Sequence, residues 1–352
     1  MSALKDIISA RIAATGPITL ADYMAEALLH PEHGYYTSKT PFGSEGDFIT
    51  APEISQMFGE VLGLCLAQAW MDQGCPKGIL AELGPGRGTL MEDILRATRS
   101  VPGFHASLDL HLVEASPSLA DAQAARLPVK QVHDRAADLP DAPLFLVANE
   151  FFDALPIRQF VRDPKGWRER VIGLDDQGAL TFGLSSPAPL AALDDRLDDT
   201  DDGDIVEVCP ALSGIVGEVS NRISRFGGCA VIIDYGDWRS LGDTFQAMQG
   251  HKAVNPLAEP GAADLTSHVD FEAIALAASP AKYSRVTGQG VFLERLGITH
   301  RAQALAQRLS GPALDTHIAA HRRLTHPAEM GELFKVIGLY PADQSPPPAL
   351  EP

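Results

Sequence analysis

The sequence predicts an α/β protein whose core is a doubly wound, Rossmann-like parallel sheet, with a helical N-terminal region, a β insertion and a C-terminal extension. Three observations support this prediction. Short apolar strands alternate with helical segments between residues 78 and 148. The stretch 144–148 is an uninterrupted apolar run, which is typical of a strand buried on both faces. After residue 155 the pattern changes to alternating runs separated by turn residues, which indicates antiparallel strands.

Composition and charge exclude several classes of protein. The chain has 352 residues and a formal net charge of 28 − 46 = −18 at pH 7. Such an acid excess argues against a nucleic-acid binder that neutralises phosphates. There is no apolar stretch of about 18 residues without charges, so no membrane span is expected. The four cysteines form no CxxC pair, so we expect neither zinc nor a disulfide framework, and a reducing compartment fits.

Two helices are predicted at the N-terminus. Leu4 and Ile8 fall on one face of the first helix. Thr19 and Asp22 have the spacing of a capping box at the start of the second helix, which ends before Pro31. The first 15 residues lack the long apolar core of a secretory signal, so we expect them to be mature helix.

The segment 30–50 reads as a long loop, and loops of this length are often functional. Gly43 and Gly46 favour a mobile lid over a bound ligand, although a loop held in the core by its apolar residues is the alternative. Thr50 and Glu53 are spaced as a second capping box, ahead of one continuous helix.

The core and its additions divide the chain into five predicted segments. These are an N-terminal helical region with the lid loop (1–75), the first part of the core (76–158), inserted β-strands with an acidic loop (159–204), the last part of the core (205–240) and a C-terminal α/β substrate-binding extension (241–352). Core strands are predicted at 78–83, 108–113, 129–132, 144–148 and 228–235, and core helices at 90–99, 117–126 and 211–225.

A glycine-rich turn follows the first core strand. Glu82 lies in the strand, and Gly84, Pro85, Gly86 and Gly88 form a GxGxG turn at the start of the next helix. Glycine permits a tight turn and a close approach of ligand to backbone. The spacing differs from the GxGxxG of dinucleotide-binding enzymes. It resembles the first motif of class I S-adenosylmethionine-dependent methyltransferases, whose loop cradles the amino-acid end of the cofactor.

Two further acids end neighbouring strands. Glu114 ends the second strand, where a carboxylate can accept both hydroxyls of a ribose. Asp134 follows the third strand, where such folds commonly contact adenine. The alternative for Glu114 is a surface acid at a strand end. The glycine turn, its strand context and Glu114 together predict S-adenosylmethionine as cofactor and S-adenosylhomocysteine as product.

Polar residues also follow the buried strand 144–148, at the sheet edge where ligands bind. Glu150 could hold a guanidinium in a bidentate manner, and Asn149 could accept from a nitrogen donor. The alternative is that both residues cap a following helix while Phe151 and Phe152 pack in the core.

With these motifs, the chain resembles the MidA family of bacterial and mitochondrial protein arginine methyltransferases, which are tied to assembly of respiratory complex I. The resemblance extends from about residue 20 to about residue 340. The matching stretches are 46–55, 82–90, 149–156, 228–236, 251–252 and 260–271.

The resemblance implies methylation of an arginine in the NuoD-type subunit of complex I, to symmetric dimethylarginine. Glu150 is then the first candidate to hold the guanidinium, with Asp47 and Asp153 as reserves, and Asn149 beside it. The lid interpretation adds Thr50 to the cofactor-binding residues. The mitochondrial members carry a transit peptide that we do not see here, so a bacterial cytoplasmic enzyme is expected, with a homodimer possible.

Other interpretations stay open at this point. A non-catalytic assembly chaperone and a small-molecule methyltransferase are the main alternatives, whereas the GxGxG spacing disfavours a nicotinamide or flavin oxidoreductase. No metal is expected, because His30 and His33 have no evident third ligand. Asp264 and Asp270 flank a turn and are expected to be caps, with lining of a substrate groove as the alternative.

Overall fold

The computed structural model describes residues 3–38 and 50–352. The helices are α1 (Ala3–Thr15), α2 (Leu20–Leu29), α3 (Tyr35–Ser38), α4 (Ala51–Ile54), α5 (Gln56–Asp72), α6 (Thr89–Ala97), α7 (Phe104–Ser107), α8 (Pro117–Arg126), α9 (Leu212–Phe226), α10 (Phe271–Ala277), α11 (Gln289–Arg295), α12 (Ile298–Ala306) and α13 (Pro312–Thr325). The strands are β1 (Ile18–Thr19), β2 (Gly78–Leu83), β3 (Leu108–Val113), β4 (Gln131–His133), β5 (Leu144–Asn149), β6 (Arg158–Asp163), β7 (Gly166–Leu174), β8 (Leu180–Leu184), β9 (Ile205–Val208), β10 (Gly228–Asp237), β11 (Gln246–Gln249), β12 (Lys252–Val254), β13 (Asp264–Thr266), β14 (Val269–Asp270), β15 (Lys282–Tyr283), β16 (Thr287–Gly288) and β17 (Phe334–Tyr340).

The largest sheet carries its main strands in the order β4-β3-β2-β5-β10-β17-β15. Neighbours from β4 to β10 are parallel, and β17 runs antiparallel to β10. The chain passes from β2 to β3 on one side and later to β5 on the other, so the strand order reverses at β2. Ligands of doubly wound sheets bind at the carboxyl ends of the strands beside such a reversal. The predicted doubly wound α/β fold is therefore confirmed.

The interior of this sheet follows from its strand sequences. Leu144 to Val147 of β5 are fully buried, as the continuous apolar run predicts for a strand covered on both faces. Helices α5 and α6 pack closely against each other. A Cβ on Gly59 of α5 would stand only 2.5 Å from Cβ of Asp93 on α6, so the contact requires glycine.

The chain forms two compact units. The sheet unit comprises residues 50–152, 213–238 and 271–352, and the insert unit comprises residues 3–38, 153–212 and 239–270. The predicted N-terminal segment 1–75 is thus shared between both units. The predicted C-terminal extension is likewise divided, at residue 270.

The insert unit is built on antiparallel strands, as the sequence pattern after residue 155 predicts. One sheet has the order β1-β7-β6-β9 with β8 beside β7, and a second has the order β12-β11-β13. The first predicted turn joins β6 to β7, where Asp163 pairs with Gly166. In the second, Oδ1 of Asp175 accepts hydrogen bonds from the backbone N–H groups of Gln177 and Ala179. Asx-type bonds of this kind explain why aspartate marks such turns.

The first predicted capping box is confirmed and the second is wrong. Thr19 and Asp22 exchange both hydrogen bonds of the box at the start of α2. Thr50 precedes α4, but its side chain makes no capping bond. Glu53 accepts instead from Oγ1 of Thr89 at 2.8 Å. The predicted continuous helix is also interrupted, because extended backbone at Ser55 separates α4 from α5.

The predicted loop 30–50 contains a short helix, α3, that the sequence analysis missed. Most of the predicted lid, including Asp47, lies outside the described residues. Asp264 caps no helix, because it lies inside strand β13. Asp270 accepts through Oδ2 from the backbone N–H of Ser240 at 3.0 Å.

Candidate functional site

The carboxyl ends of the parallel strands in the sheet unit are aligned. Leu83 of β2 pairs with Val113 of β3, Val113 pairs with His133 of β4, and Asn149 of β5 pairs with Ile233 of β10. The residues that follow each strand therefore share one edge of the sheet. This edge carries most of the side chains that the sequence analysis selected.

The glycine turn after β2 requires its glycines. Gly84, Gly86 and Gly88 have φ of 62°, 52° and 77°, a region that other residues rarely adopt. A Cβ on Gly84 would also stand 2.7 Å from the ring of Phe151, and one on Gly88 would stand 2.9 Å from Leu127. Gly88 then starts α6, whose first N–H groups are not used within the helix.

Glu82 is a buried carboxyl group beside this turn. It is 3% exposed, and its Oε2 has no hydrogen-bond partner among residues 3–38 and 50–352. Burial, and to a lesser extent the charge of Glu114, raises the pKa of Glu82 to about 8. A carboxyl group in this state would gain from a ligand that brings a positive charge or an N–H donor.

Glu114 is linked to the glycine turn through Gln123, a residue that the sequence analysis missed. Oε2 of Glu114 accepts from Nε2 of Gln123 at 3.1 Å, and the same Nε2 donates to the carbonyl of Gly86 at 2.7 Å. Burial raises the pKa of Glu114, although bonds from the Ser116 backbone and from Gln123 oppose this. Oε1 of the fully buried Gln123 has no partner in the described part of the chain.

A sequence signal for Gln123 did exist. Leu119 and Gln123 are the buried positions of α8, spaced by four residues on one face. A glutamine on such an apolar face needs partners when it is buried.

Asn149 and Glu150 form a tight structure at the end of β5. Nδ2 of Asn149 donates to Oε1 of Glu150 at 3.0 Å, and the same oxygen accepts from the backbone N–H of Ala51 at 2.8 Å. Glu150 has φ of 50°, an uncommon backbone conformation for glutamate that often marks functional sites. Oδ1 of the buried Asn149 has no partner among the described residues. Glu150 thus holds the start of α4, and no helix follows it directly.

Asp234 of β10 fixes this turn and was also missed. It is fully buried, and its Oδ2 accepts from the backbone N–H groups of Phe151 at 3.2 Å and Phe152 at 2.9 Å. An aspartate directly after the apolar run 230–233 was the available signal, because a buried carboxylate needs hydrogen-bond donors.

The other predicted site residues are placed as follows. Pro85 is buried in the glycine turn, Asp134 is exposed after β4, and Thr50 directly precedes α4. Asp153 is buried and belongs to the insert unit. Residues 3–38 and 50–352 contain no cluster of histidine, cysteine and acidic side chains that could hold a metal ion. No helix within these residues is both long and apolar enough to cross a bilayer.

Three buried oxygen acceptors at the sheet edge therefore have no donor among residues 3–38 and 50–352: Oε2 of Glu82, Oε1 of Gln123 and Oδ1 of Asn149. Such groups are costly unless they are paired, so they indicate a ligand rich in N–H and O–H donors. S-adenosylmethionine fits this requirement, since it carries an amino group, two ribose hydroxyls and an adenine amine.

Comparison with known proteins supports the same cofactor. The model of a family of S-adenosyl-L-methionine-dependent methyltransferases matches residues 61–289. The chain is 37% identical to the mitochondrial protein arginine methyltransferase NDUFAF7 of Xenopus laevis, over 97% of this chain and 85% of that protein. It is 38% identical to the human NDUFAF7, over 94% and 82%.

A solved structure is also similar over nearly the whole chain. It is a COG1565 superfamily member from Burkholderia thailandensis, bound to S-adenosyl-homocysteine. The identity is 29%, the TM-score is 0.83, and the match covers 99% of this chain and 94% of that one. This chain therefore belongs to the family of S-adenosyl-L-methionine-dependent methyltransferases.

Proposed function

We propose that this enzyme methylates an arginine side chain of a protein, the NuoD-type subunit of respiratory complex I. The observation that carries the cofactor half of the proposal is the set of three buried acceptors at the sheet edge that have no donor in the described part of the chain. The substrate half is supported by the relatives named protein arginine methyltransferase, which match over more than 90% of this chain. The net charge of −18 would favour approach of a basic substrate segment.

The chain's residues suit distinct parts of the cofactor. Glu82 would accept from the amino group, the glycine turn would admit the amino-acid portion against its backbone, and Glu114 would accept from the ribose hydroxyls. The bound cofactor supplies a methyl group that is activated by a positively charged sulfur. Gln123 would fix the position of Glu114 relative to the glycine turn, because its amide N–H group donates hydrogen bonds to both.

The assignment of Glu150 as guanidinium anchor stays a prediction. A carboxylate oxygen offers two lone pairs, and Oε1 of Glu150 already accepts from Ala51 and Asn149. A bidentate grip on a guanidinium would have to displace one of these donors. The geometry favours Glu150 as a residue that positions the turn and the start of α4.

Replacing Glu114 by alanine is expected to weaken binding of S-adenosylhomocysteine by about 1–3 kcal/mol, the range for losing a charged acceptor. Calorimetric titration measures the affinity of the variant for S-adenosylhomocysteine. Asp109→Ala is the matched control, because Asp109 is an exposed acid on the same strand. Equal affinities of the two variants would place the ribose contact elsewhere.

Binding of S-adenosylhomocysteine near pH 7 is expected to release about one proton, because Glu82 has a pKa of about 8 and would ionise opposite an ammonium group. Titration in buffers of different ionisation enthalpy counts the protons. Glu82→Gln should lose this release. A wild type without proton release would contradict the Glu82 contact.

The same pKa affects stability. Unfolding lowers the pKa of Glu82 from about 8 towards its ordinary value of 4.5. Below that value the group is protonated in both states. As the pH rises towards 8, the unfolded chain loses a proton that the folded chain keeps, so this contribution to stability declines.

Transfer of labelled methyl groups to the isolated NuoD-type subunit tests the proposal. We expect label in that subunit only when the enzyme and S-adenosylmethionine are both present. Tight cofactor binding without transfer would favour the assembly chaperone, and label only in small molecules would favour a small-molecule methyltransferase.

We also place the enzyme in a reducing compartment such as the bacterial cytoplasm, which its four free cysteines suit.

A further inference from the structure

The backbone of the glycine turn is held by hydrogen bonds from α8. Glycine can adopt more backbone conformations than any other residue, so a turn with three glycines is ordered at a cost in entropy. Nε2 of Gln123 donates to the carbonyl of Gly86 at 2.7 Å. Nη1 of Arg126, at the end of the same helix, donates to the carbonyl of Arg87 at 3.0 Å. These bonds offset part of the entropic cost before a ligand binds.

A further contact comes from Glu53 of α4, a residue that the sequence analysis assigned to a capping box. Oε1 of Glu53 accepts from the side-chain hydroxyl of Thr89 at 2.8 Å. Its Oε2 lies 3.7 Å from Nη1 of Arg87. Arg87 stands between two glycines of the turn, and Thr89 is the first residue of α6. One carboxylate therefore contacts both the turn and the helix that follows it.

Helix α4 is itself anchored within the sheet unit. Ala51 and Pro52 are buried, and the backbone N–H of Ala51 donates to Oε1 of Glu150 at 2.8 Å. The backbone N–H of Glu53 donates to the carbonyl of Thr50 at 2.9 Å. The side chain of Glu53 is only 23% exposed. Because its backbone is already ordered, this side chain loses little further freedom when it accepts a hydrogen bond.

We propose that Glu53 is a positioning residue that preorganises the glycine turn for S-adenosylmethionine. This inference rests on the cofactor half of the proposed function, in which the turn admits the amino-acid portion of the cofactor. The carboxylate holds Arg87 and Thr89 in place before the ligand arrives, so less ordering is needed on binding. The hydroxyl bond contributes more than the ion pair, because the Arg87 side chain is 42% exposed and its charge is screened by water and salt.

The test measures binding of S-adenosylhomocysteine to the full chain by calorimetric titration. Glu53→Ala removes both contacts, and we expect the affinity to fall about 5- to 30-fold. Glu53→Gln keeps an oxygen acceptor for the Thr89 hydroxyl, so its affinity should stay within about threefold of the wild type. A role in stability alone would lower the melting temperature of Glu53→Ala and leave the affinity of the folded chain unchanged.

Glu294→Ala is the matched control. Oε1 of Glu294 accepts from the side-chain hydroxyl of Thr299 at 2.7 Å and lies 3.6 Å from Nε2 of His321. Glu294 thus pairs with a threonine hydroxyl and a basic side chain, as Glu53 does. It belongs to the same unit, but these partners lie in α12 and α13 and not in the glycine turn. We expect Glu294→Ala to bind S-adenosylhomocysteine with wild-type affinity.

A double-mutant cycle assigns the effect to the bond between Glu53 and Thr89. Valine has nearly the shape of threonine without its hydroxyl, so Thr89→Val should weaken S-adenosylhomocysteine about 3- to 10-fold. If both side chains act through one bond, the double variant should bind no more than about twofold more weakly than Glu53→Ala alone. Losses that simply multiply in the double variant would overturn the proposal.

Thr89→Val also decides the question if Glu53→Ala folds poorly. Weaker binding by a folded Thr89→Val chain supports the proposal, and wild-type affinity in that chain overturns it. The cofactor loop is tested separately with Gly86→Val. Loss of binding in Gly86→Val, beside wild-type affinity in a folded Glu53→Ala chain, would overturn this inference and leave the proposed function standing. Wild-type affinity in a folded Gly86→Val chain would reject the loop assignment itself.

Discussion

Gly86→Val is expected to abolish binding of S-adenosylhomocysteine, by more than about 100-fold, in a chain that still folds. Gly86 has φ of 52°, which a β-branched residue adopts only with strain, and its carbonyl accepts from Gln123. The valine side chain would occupy space where the ligand meets the backbone. Gly84 and Gly88 are less suitable for this test, because a Cβ there would stand 2.7 Å from the ring of Phe151 or 2.9 Å from Leu127.

The control for this variant is Gly178→Val. Gly178 has φ of 76° in the turn between β7 and β8, and nothing lies within 4 Å of the position of its Cβ. Both variants should lose about 1–2 kcal/mol of unfolding free energy from the left-handed backbone. Only Gly86→Val should lose the ligand in calorimetric titration. Retained affinity in a folded Gly86→Val chain would reject the glycine turn as the cofactor loop.

Asp234→Ala is expected to reduce the unfolding free energy by about 2–5 kcal/mol, because it leaves the backbone N–H groups of Phe151 and Phe152 without their acceptor. Methyl transfer should fall with it, since Phe151 and Phe152, which directly follow Glu150, lose the bonds that fix their backbone. Chemical denaturation gives the free energy, and labelled transfer at a temperature where the variant is folded gives the activity.

Asp237→Ala provides the comparison for Asp234. Asp237 ends the same strand and accepts from the next backbone N–H, of Trp238, but it is exposed to solvent. Its replacement should cost less than about 1 kcal/mol, because water can satisfy the freed group. Equal losses in the two variants would mean that Asp234 does not hold the turn.

Local patterns were sufficient to predict most of the fold. The apolar run of β5, the Thr19–Asp22 capping box and the Asp175 turn each depend on residues within a few positions of one another. The glycine turn and Glu114 were also found in this way. Their spacing along the chain and the alternation of strand and helix determine where they meet in a parallel sheet.

The parts that were missed depend on contacts between distant segments. Tyr36 meets Asp264 across 228 positions, and Asp234 meets Phe152 across 82. No periodic pattern in the sequence indicates that two such distant residues are in contact. The second capping box failed for the same reason, because Glu53 found a partner in Thr89 of another helix. Tertiary contacts there outweighed the local preference.

The central claim is that this enzyme methylates arginine in a protein. The most direct test is to label the NuoD-type subunit with radioactive S-adenosylmethionine, hydrolyse it in acid and separate the amino acids. We expect the label in dimethylarginine, with none when Gly86→Val replaces the wild-type enzyme. Label in lysine or in another amino acid, or an unlabelled subunit beside an enzyme that binds the cofactor, would contradict the account.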